Sequence, residues 1–210
     1  MRTVNMRMLL SLHGLCLLML WSGATQAGVT PGAQAPGFTL PDMNGHKVSL
    51  AQFKGKYVVL EWTNPECGFV GKHYGGGSMQ NLQRTYTAQG VVWLTINSSA
   101  PGFEGYVTAR EARLVAAGQG GAATDVLLDH DGTVGHLYAA KTTPHMFIIG
   151  PDGKILYMGG IDSIPSDHID DLPKAKNYVA AALNELLAGK PVTVKAAVPY
   201  GCSVKYTAAD

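Results

Sequence analysis

Val58-Val59-Leu60-Glu61-Trp62-Thr63-Asn64-Pro65-Glu66-Cys67-Gly68-Phe69-Val70 is the stretch on which the reading of this chain turns. A β-branched apolar run ends in an acid and an aromatic, an Asn-Pro turn follows, and a cysteine stands where a helix is due to begin. A helix N-terminus offers unpaired N–H groups and the positive end of the helix dipole, which favour a thiolate by ~0.3–1 kcal/mol. That draws a cysteine pKa from ~8.5 toward ~7, and the thiolate is the nucleophile. Strand, turn and cysteine together point to thiol chemistry at residue 67.

Upstream, residues 34–42 and 47–50 flank Asn44-Gly45 and read as two short strands about a tight turn. Gly55-Lys56 then leads into a strand over residues 57–62. Downstream, Gly75-Gly76-Gly77 interrupts the helical pattern, which resumes with Met79, Leu82 and Tyr86 until Gly90, so a kinked or broken helix is expected. Residues 91–96 form a second buried strand, and Thr108 with Glu111 makes a capping box for a helix. A third strand at residues 125–128 and a short helix at residues 134–140 follow. This alternation implies parallel strands with covered faces. A further strand starts directly after Pro144, Pro151-Asp152-Gly153-Lys154 turns into residues 155–160, and a last helix is expected over residues 175–187. The order β-β, β-α-β-α, β-β-α is that of a thioredoxin-like α/β fold. The expected form is a three-layer α/β/α sandwich on a mixed sheet, with an extra N-terminal β-hairpin and an extended C-terminal tail.

Residues 1–8 carry Arg2 and Arg7 and no acid, residues 9–21 are mostly apolar, and Gly23-Ala24-Thr25-Gln26-Ala27 offers small residues for cleavage. This is the pattern of a secretory signal peptide cut after Ala27. The apolar run is shorter than the ~20 residues that span a bilayer. The chain thus divides into a signal peptide, residues 1–27, one thioredoxin-like domain, residues 28–188, and a tail, residues 189–210. Cleavage removes Arg2 and Arg7, leaving 14 basic residues against 15 acidic ones and a formal charge of −1. That balance argues against nucleic acid or an anionic membrane surface as partner, and no later apolar run is long enough to cross a membrane. Cys16 is lost with the leader, so Cys67 and Cys202 remain. An even pair in an oxidising compartment such as the bacterial periplasm invites a disulfide.

The motifs Ala35-Pro36-x-Phe38-x-Leu40, Trp62-x4-Cys67-Gly68-x-Val70, Thr143-Pro144-x2-Phe147-Ile148 and Asp152-Gly153 occur in this order. Through them the chain, from about Gly32 to Tyr206, resembles the redoxin class of thioredoxin-fold proteins. That class contains alkyl hydroperoxide reductase and thiol-specific antioxidant (AhpC/TSA) proteins, and the likeness is to its peroxiredoxin-like branch. The resemblance implies oxidoreductase or antioxidant activity without cofactor or metal, a protein or small-molecule thiol or disulfide as substrate, and an external electron donor. It implies Cys67 as nucleophile, Glu61 as the buried acid that helps move protons, and Pro144 as the cis-proline facing the sulfur. Val70 stands where a thioredoxin has its second cysteine, so a cycle within one C-x-x-C is impossible. The peroxidase pattern also needs a hydroxyl residue three positions before the cysteine, a proline seven before it, and a later arginine. Asn64 and Leu60 hold those two positions, and no arginine follows Arg113.

The tail is too long and too patterned for a frayed end. From Gly189 to Cys202 an extended chain reaches ~43 Å, and a domain of this size is about 40 Å across. Cys202 can therefore reach the Cys67 end of the sheet. Three readings follow: a redox cycle in which Cys67 attacks a disulfide or oxidant and Cys202 resolves the product, a permanent Cys67–Cys202 staple, or unpaired thiols. The functions left open are an exported thiol–disulfide oxidoreductase, a peroxiredoxin-like thiol peroxidase, and a non-catalytic binding or metal-handling module.

Other clusters read more plainly. His73 and His145 suggest a Cys/His metal site, but six residues on a helix carry His73 off the Cys67 side, so both are expected to pack or face solvent. Asp129-His130-Asp131-Gly132 lacks the acid a calcium loop needs at its twelfth position, Ala140, and is expected to be a turn. Gly75-Gly76-Gly77 lacks the trailing Lys and Ser/Thr of a phosphate loop. Asp167, Asp170 and Asp171 are expected on a solvated loop.

Overall fold

The computed structural model describes residues 29–207. The expected signal peptide, residues 1–27, lies outside the described residues, as does Cys16. The organising element is a five-stranded mixed sheet in the order β5-β4-β3-β7-β8. Its strands are β3 (Val58–Trp62), β4 (Val92–Asn97), β5 (Asp125–Leu128), β7 (His145–Ile149) and β8 (Ile155–Gly159). Strands β3, β4 and β5 run parallel, while β7 and β8 are antiparallel to their neighbours. Ahead of the sheet, β1 (Thr39–Pro41) and β2 (Lys47–Ser49) form the expected hairpin. The fold is a thioredoxin-like α/β sandwich, as its sequence pattern predicts.

All five residues of β3 are buried, because both faces of the sheet are covered. On one face Val59, Trp93, Ile148 and Tyr157 stand in register. Against them pack α1 (Gly68–Gly75), α2 (Ser78–Thr87) and α5 (Tyr178–Leu187), through Val70, Met79, Leu82, Val179 and Leu183. On the other face Leu60, Trp62, Leu94 and Phe147 meet the hairpin residues Leu40 and Val48 and, from α4 (Thr133–Leu137) and its end, Val134 and Tyr138. Each such Leu or Phe contributes ~1.5–3 kcal/mol by leaving water. Helix α3 (Ala109–Gln119) starts on the predicted capping box, with Thr108 Oγ1 accepting from the Glu111 N–H, and Ala112 packs near Leu128 of β5.

The three glycines do break a helix: α1 stops at Gly75 and α2 starts after Gly77, whose φ of +73° a side chain rarely adopts. The last helix begins three residues later than its apolar pattern suggests. Asn177 caps it by accepting from the Ala180 N–H, and residues Ile169–Lys174 form a separate 3-10 turn. Asp129 lies in the turn expected of it but is not solvated. Its carboxylate accepts from the Val134 and Gly135 N–H groups and from Ser98 Oγ, tying the end of β4 to the start of α4.

After α5 the chain does not fray. Val192 enters the core, Met158 and Lys195 to Ala197 exchange backbone hydrogen bonds along the open side of β8, and β9 (Cys202–Ser203) pairs antiparallel with β6 (Thr142–Thr143). Beyond it, Lys205 O accepts from Ala100 N–H, and Tyr206 donates to Ala140 O while stacking on the His136 ring. Gly159 makes the β8 contact feasible: at φ +135°, a Cβ there would run into the Ala197 carbonyl. The Gly159→Ala variant is therefore expected to lose ~1–3 kcal/mol of stability and to be cut faster within residues 190–200 by a nonspecific protease. Unchanged cleavage would mean that contacts elsewhere hold this segment.

Candidate active site

Cys67 is the N-cap of α1, with extended φ/ψ of −78° and 123°. The Asn64-Pro65-Glu66 turn sets it there: Asn64 O accepts from the Cys67 N–H at 3.1 Å, and Asn64 Oδ1 from the Glu66 N–H at 2.8 Å. The first-turn N–H groups of Gly68, Phe69 and Val70 have no backbone acceptor and receive no side-chain cap, so they remain available to the sulfur. Cys67 is bonded to Cys202 as a disulfide across a sequence separation of 135, with 5.9 Å between the Cα atoms. The two cysteines are thus brought together, as the length of the tail allows. Cys67 is 1% exposed, whereas Cys202 is partly exposed.

Pro144 follows a cis peptide bond, and the carbonyl of the preceding Thr143 lies 3.2 Å from Cys67 Sγ. Thr143 is the residue paired with Cys202 in the β6–β9 ladder. Gly201 lets the ladder form, because a Cβ there would strike the Thr143 carbonyl.

Glu61 is fully buried on the α1 side of β3, one residue before Trp62. Its carboxyl accepts from Trp93 Nε1 at 2.7 Å, Tyr74 Oη at 3.0 Å and Gln83 Nε2 at 3.2 Å. Burial raises its pKa, against the downward pull of those donors. No hydrogen bond joins Glu61 to Cys67 among the described residues. A cavity of about 130 Å³ lies against α3, lined by Ala112, Val115, Ala123 and Val126 and reaching Tyr74 and Gln83; neither Glu61 nor Cys67 lines it.

The histidines are both buried. His73 lies beside Asp162, at 3.6 Å, and Ser78, at 3.0 Å, and burial draws its pKa down to about 4. His145 packs its ring on Phe147, accepts from the Lys141 N–H at 3.3 Å, and is likewise lowered by burial to about 4. Among the described residues no three His, Cys, Asp or Glu side chains come together as a metal site. Sequence reasoning missed Lys72, Asp162 and Tyr200, which meet behind the disulfide. Lys72 and Asp162 lie 90 residues apart and Asp162 and Tyr200 38, and the one local signal is a tyrosine two positions before Cys202.

Fold, helix-capping cysteine and cis-proline define a thioredoxin-like protein of the redoxin class. The AhpC/TSA family model matches residues 31–158, and the chain belongs to that family. It is 27% identical over 133 residues to the thiol-disulfide oxidoreductase ResA of Bacillus subtilis, covering 63% of this chain and 69% of ResA. Among solved structures, an uncharacterized conserved protein from Geobacillus kaustophilus superposes with a TM-score of 0.76 at 29% identity, over 86% of this chain and 94% of that one. A Chlorobium tepidum structure, provisionally named thiol:disulfide interchange protein DsbE, gives 0.51 at 27% identity, over 62% and 85%.

The buried histidines make a pH prediction. Unfolded, both rings protonate near the ordinary 6.5, whereas folded they stay neutral down to about 4. The unfolded form therefore takes up protons first as pH falls, and stability is lost between about pH 6.5 and 4, by up to ~1.4 kcal/mol per pH unit for each ring. Glu61 acts with the opposite sign: its raised pKa lets the folded form keep a proton that the unfolded carboxyl loses above 4.5. Denaturant titrations at pH 7 and 5 should show the acid loss, made shallower in His73→Gln and His145→Asn. An unchanged slope in both variants would exclude these rings as the titrating groups.

Proposed function

We propose that this protein is an exported thiol–disulfide oxidoreductase whose nucleophile is Cys67 and whose resolving cysteine is Cys202. The observation that carries the reading is the Cys67–Cys202 disulfide at the N-terminus of α1, beside Thr143 and Pro144. In the reduced protein the Cys67 thiolate attacks one sulfur of a substrate disulfide and expels the other as thiolate. The Cys202 thiolate then attacks Cys67 Sγ in the mixed disulfide, releasing the second substrate thiolate and closing Cys67–Cys202. The substrate is reduced and the protein oxidised by two electrons.

Regeneration needs an external dithiol. Its thiolate attacks the more exposed Cys202 sulfur, Cys67 leaves as a thiolate facing the free N–H groups of α1, and the second donor thiolate releases Cys202. Glu61 accepts or relays the cysteine proton. Pro144 and Thr143 present backbone to a substrate strand once the tail moves aside. Export rests on the leader-like residues 1–27, and ResA and the provisional DsbE supply the likeness to thiol–disulfide chemistry. On this reading residues 28–188 are the catalytic domain, and residues 189–210 the tail that brings Cys202.

No feature around Cys67 favours peroxide as substrate. Asn64, at the position where a hydroxyl would polarise the O–O bond, spends its amide on Glu66 N–H and Glu104 O. A permanent staple is the second reading, and it has an observation of its own: Cys67 is almost fully enclosed. Closing a loop of this length contributes about 5 kcal/mol on the chain-entropy estimate.

The deciding experiment equilibrates mature protein in glutathione buffers of graded potential and counts alkylated Cys67 and Cys202 by mass spectrometry. A catalytic couple is expected at about −120 to −270 mV, whereas a pair still closed below about −300 mV marks a staple. Alongside it, Cys202→Ser is expected to accumulate a stable mixed disulfide on Cys67 with a protein substrate, and Cys67→Ser to reduce none.

A further inference from the structure

Behind the disulfide lies a charged cluster drawn from three separate stretches of chain. The Lys72 and Asp162 side chains are 0% and 2% exposed, and Lys72 Nζ stands 3.3 Å from Asp162 Oδ2. Lys72 also donates to Ile164 O at 3.0 Å, and Asp162 Oδ1 accepts from the Ile164 N–H at 2.9 Å. Tyr200, from the tail, donates its hydroxyl to the same Oδ1. The Tyr200 ring meets Phe69 edge-on at 5.9 Å and lies 5.7 Å from the Lys72 ammonium.

Burying an ammonium and a carboxylate costs several kcal/mol per ion, and well-packed apolar residues often serve stability as well or better. Stability alone therefore gives no reason for ions here. What they supply is a fixed, charge-assisted acceptor for one tail hydroxyl. Phe69 is two residues after Cys67, and Tyr200 is two residues before Cys202. The cluster thus fixes the approach of one sulfur to the other.

We infer that Asp162, held by Lys72, is a latch that keeps Cys202 opposite Cys67 through Tyr200 while the disulfide is open. Asp162, Lys72 and Tyr200 are then positioning residues for the couple, a role that rests on the oxidoreductase reading. An undocked tail must search a large volume before its thiol meets Cys67. A docked tail replaces that search with a high local concentration of the Cys202 thiol. Tyr206 and the Lys205 carbonyl hold the far side of Cys202, and the glycine at 201 links the two anchorages. With both anchorages made, Cys202 attack on a Cys67 mixed disulfide is fast and the intramolecular disulfide is favoured.

The test uses the full mature chain and the Tyr200→Phe variant, which removes one oxygen and keeps the ring against Phe69. The glutathione equilibrium constant for Cys67–Cys202 is expected to fall five- to tenfold, a tenfold fall being ~30 mV. Ring closure from the Cys67–glutathione mixed disulfide should slow by a similar factor. The oxidised form should also lose more stability than the reduced form, because only a reduced tail escapes the loss by undocking. Asp162→Asn should act in the same direction if it folds. A merely structural Tyr200 would lower both melting temperatures equally and leave the equilibrium constant and closure rate unchanged, and that result overturns the latch. Failure to turn over protein disulfides, with the Tyr200→Phe shifts present, would instead remove the oxidoreductase reading and leave the latch in place.

Discussion

The bond between Cys67 and Cys202 closes where three structural elements converge: the N-terminus of α1, the Thr143–Pro144 turn, and the β6–β9 ladder. Most of the molecule serves to make that meeting possible. The parallel strands β3 and β4 deliver the Asn64-Pro65 turn and its cysteine to one end of the sheet. The antiparallel return through β7 places Thr143 and Pro144 beside it, and α5 sends the tail back along β8 to the same end. With no second cysteine at residue 70, the partner sulfur has to come from the far end of the chain. The tail that carries it is consequently built as firmly as the domain.

Buried polar groups on both sides of the sulfurs divide the work. The Glu61 network fills the space under the sheet with a carboxyl whose pKa is raised by burial, and every one of its donors comes from the core layer. The Lys72–Asp162 pair faces the tail instead. A local dithiol fixes both sulfurs on one helical turn. Here their geometry depends on a contact between Lys72 and Asp162, which lie 90 residues apart in sequence.

The fold could be read because its signals are local. The β3 run, the capping box at Thr108, the glycine break and the hairpin turns each act within a few residues, and each produced the element it announced. The start of α5 was read too early because Asn177 decides it, and a cap can override an apolar periodicity. Cys67, Glu61, Pro144 and Cys202 were legible as candidates from motif and count. Asp162 and Lys72 were not, because a buried ion pair leaves no periodic trace and each residue alone resembles an ordinary surface charge. Asp129 was legible as a turn residue but not as a staple of the α4 start, because a turn carboxylate can face water or cap a helix and sequence does not say which.

The course of the tail along β8 has a bearing on solubility. β8 is the outermost strand of the five-stranded sheet, and an uncovered outer strand presents free N–H and C=O groups on which another chain can build. Residues 195–197 occupy the Met158 part of that edge, and residues 202–203 do the same for the short β6. The segment that carries the second sulfur thus also covers the β8 edge against edge-to-edge self-association, and the anchorage that holds Cys202 in place holds that cover in place as well.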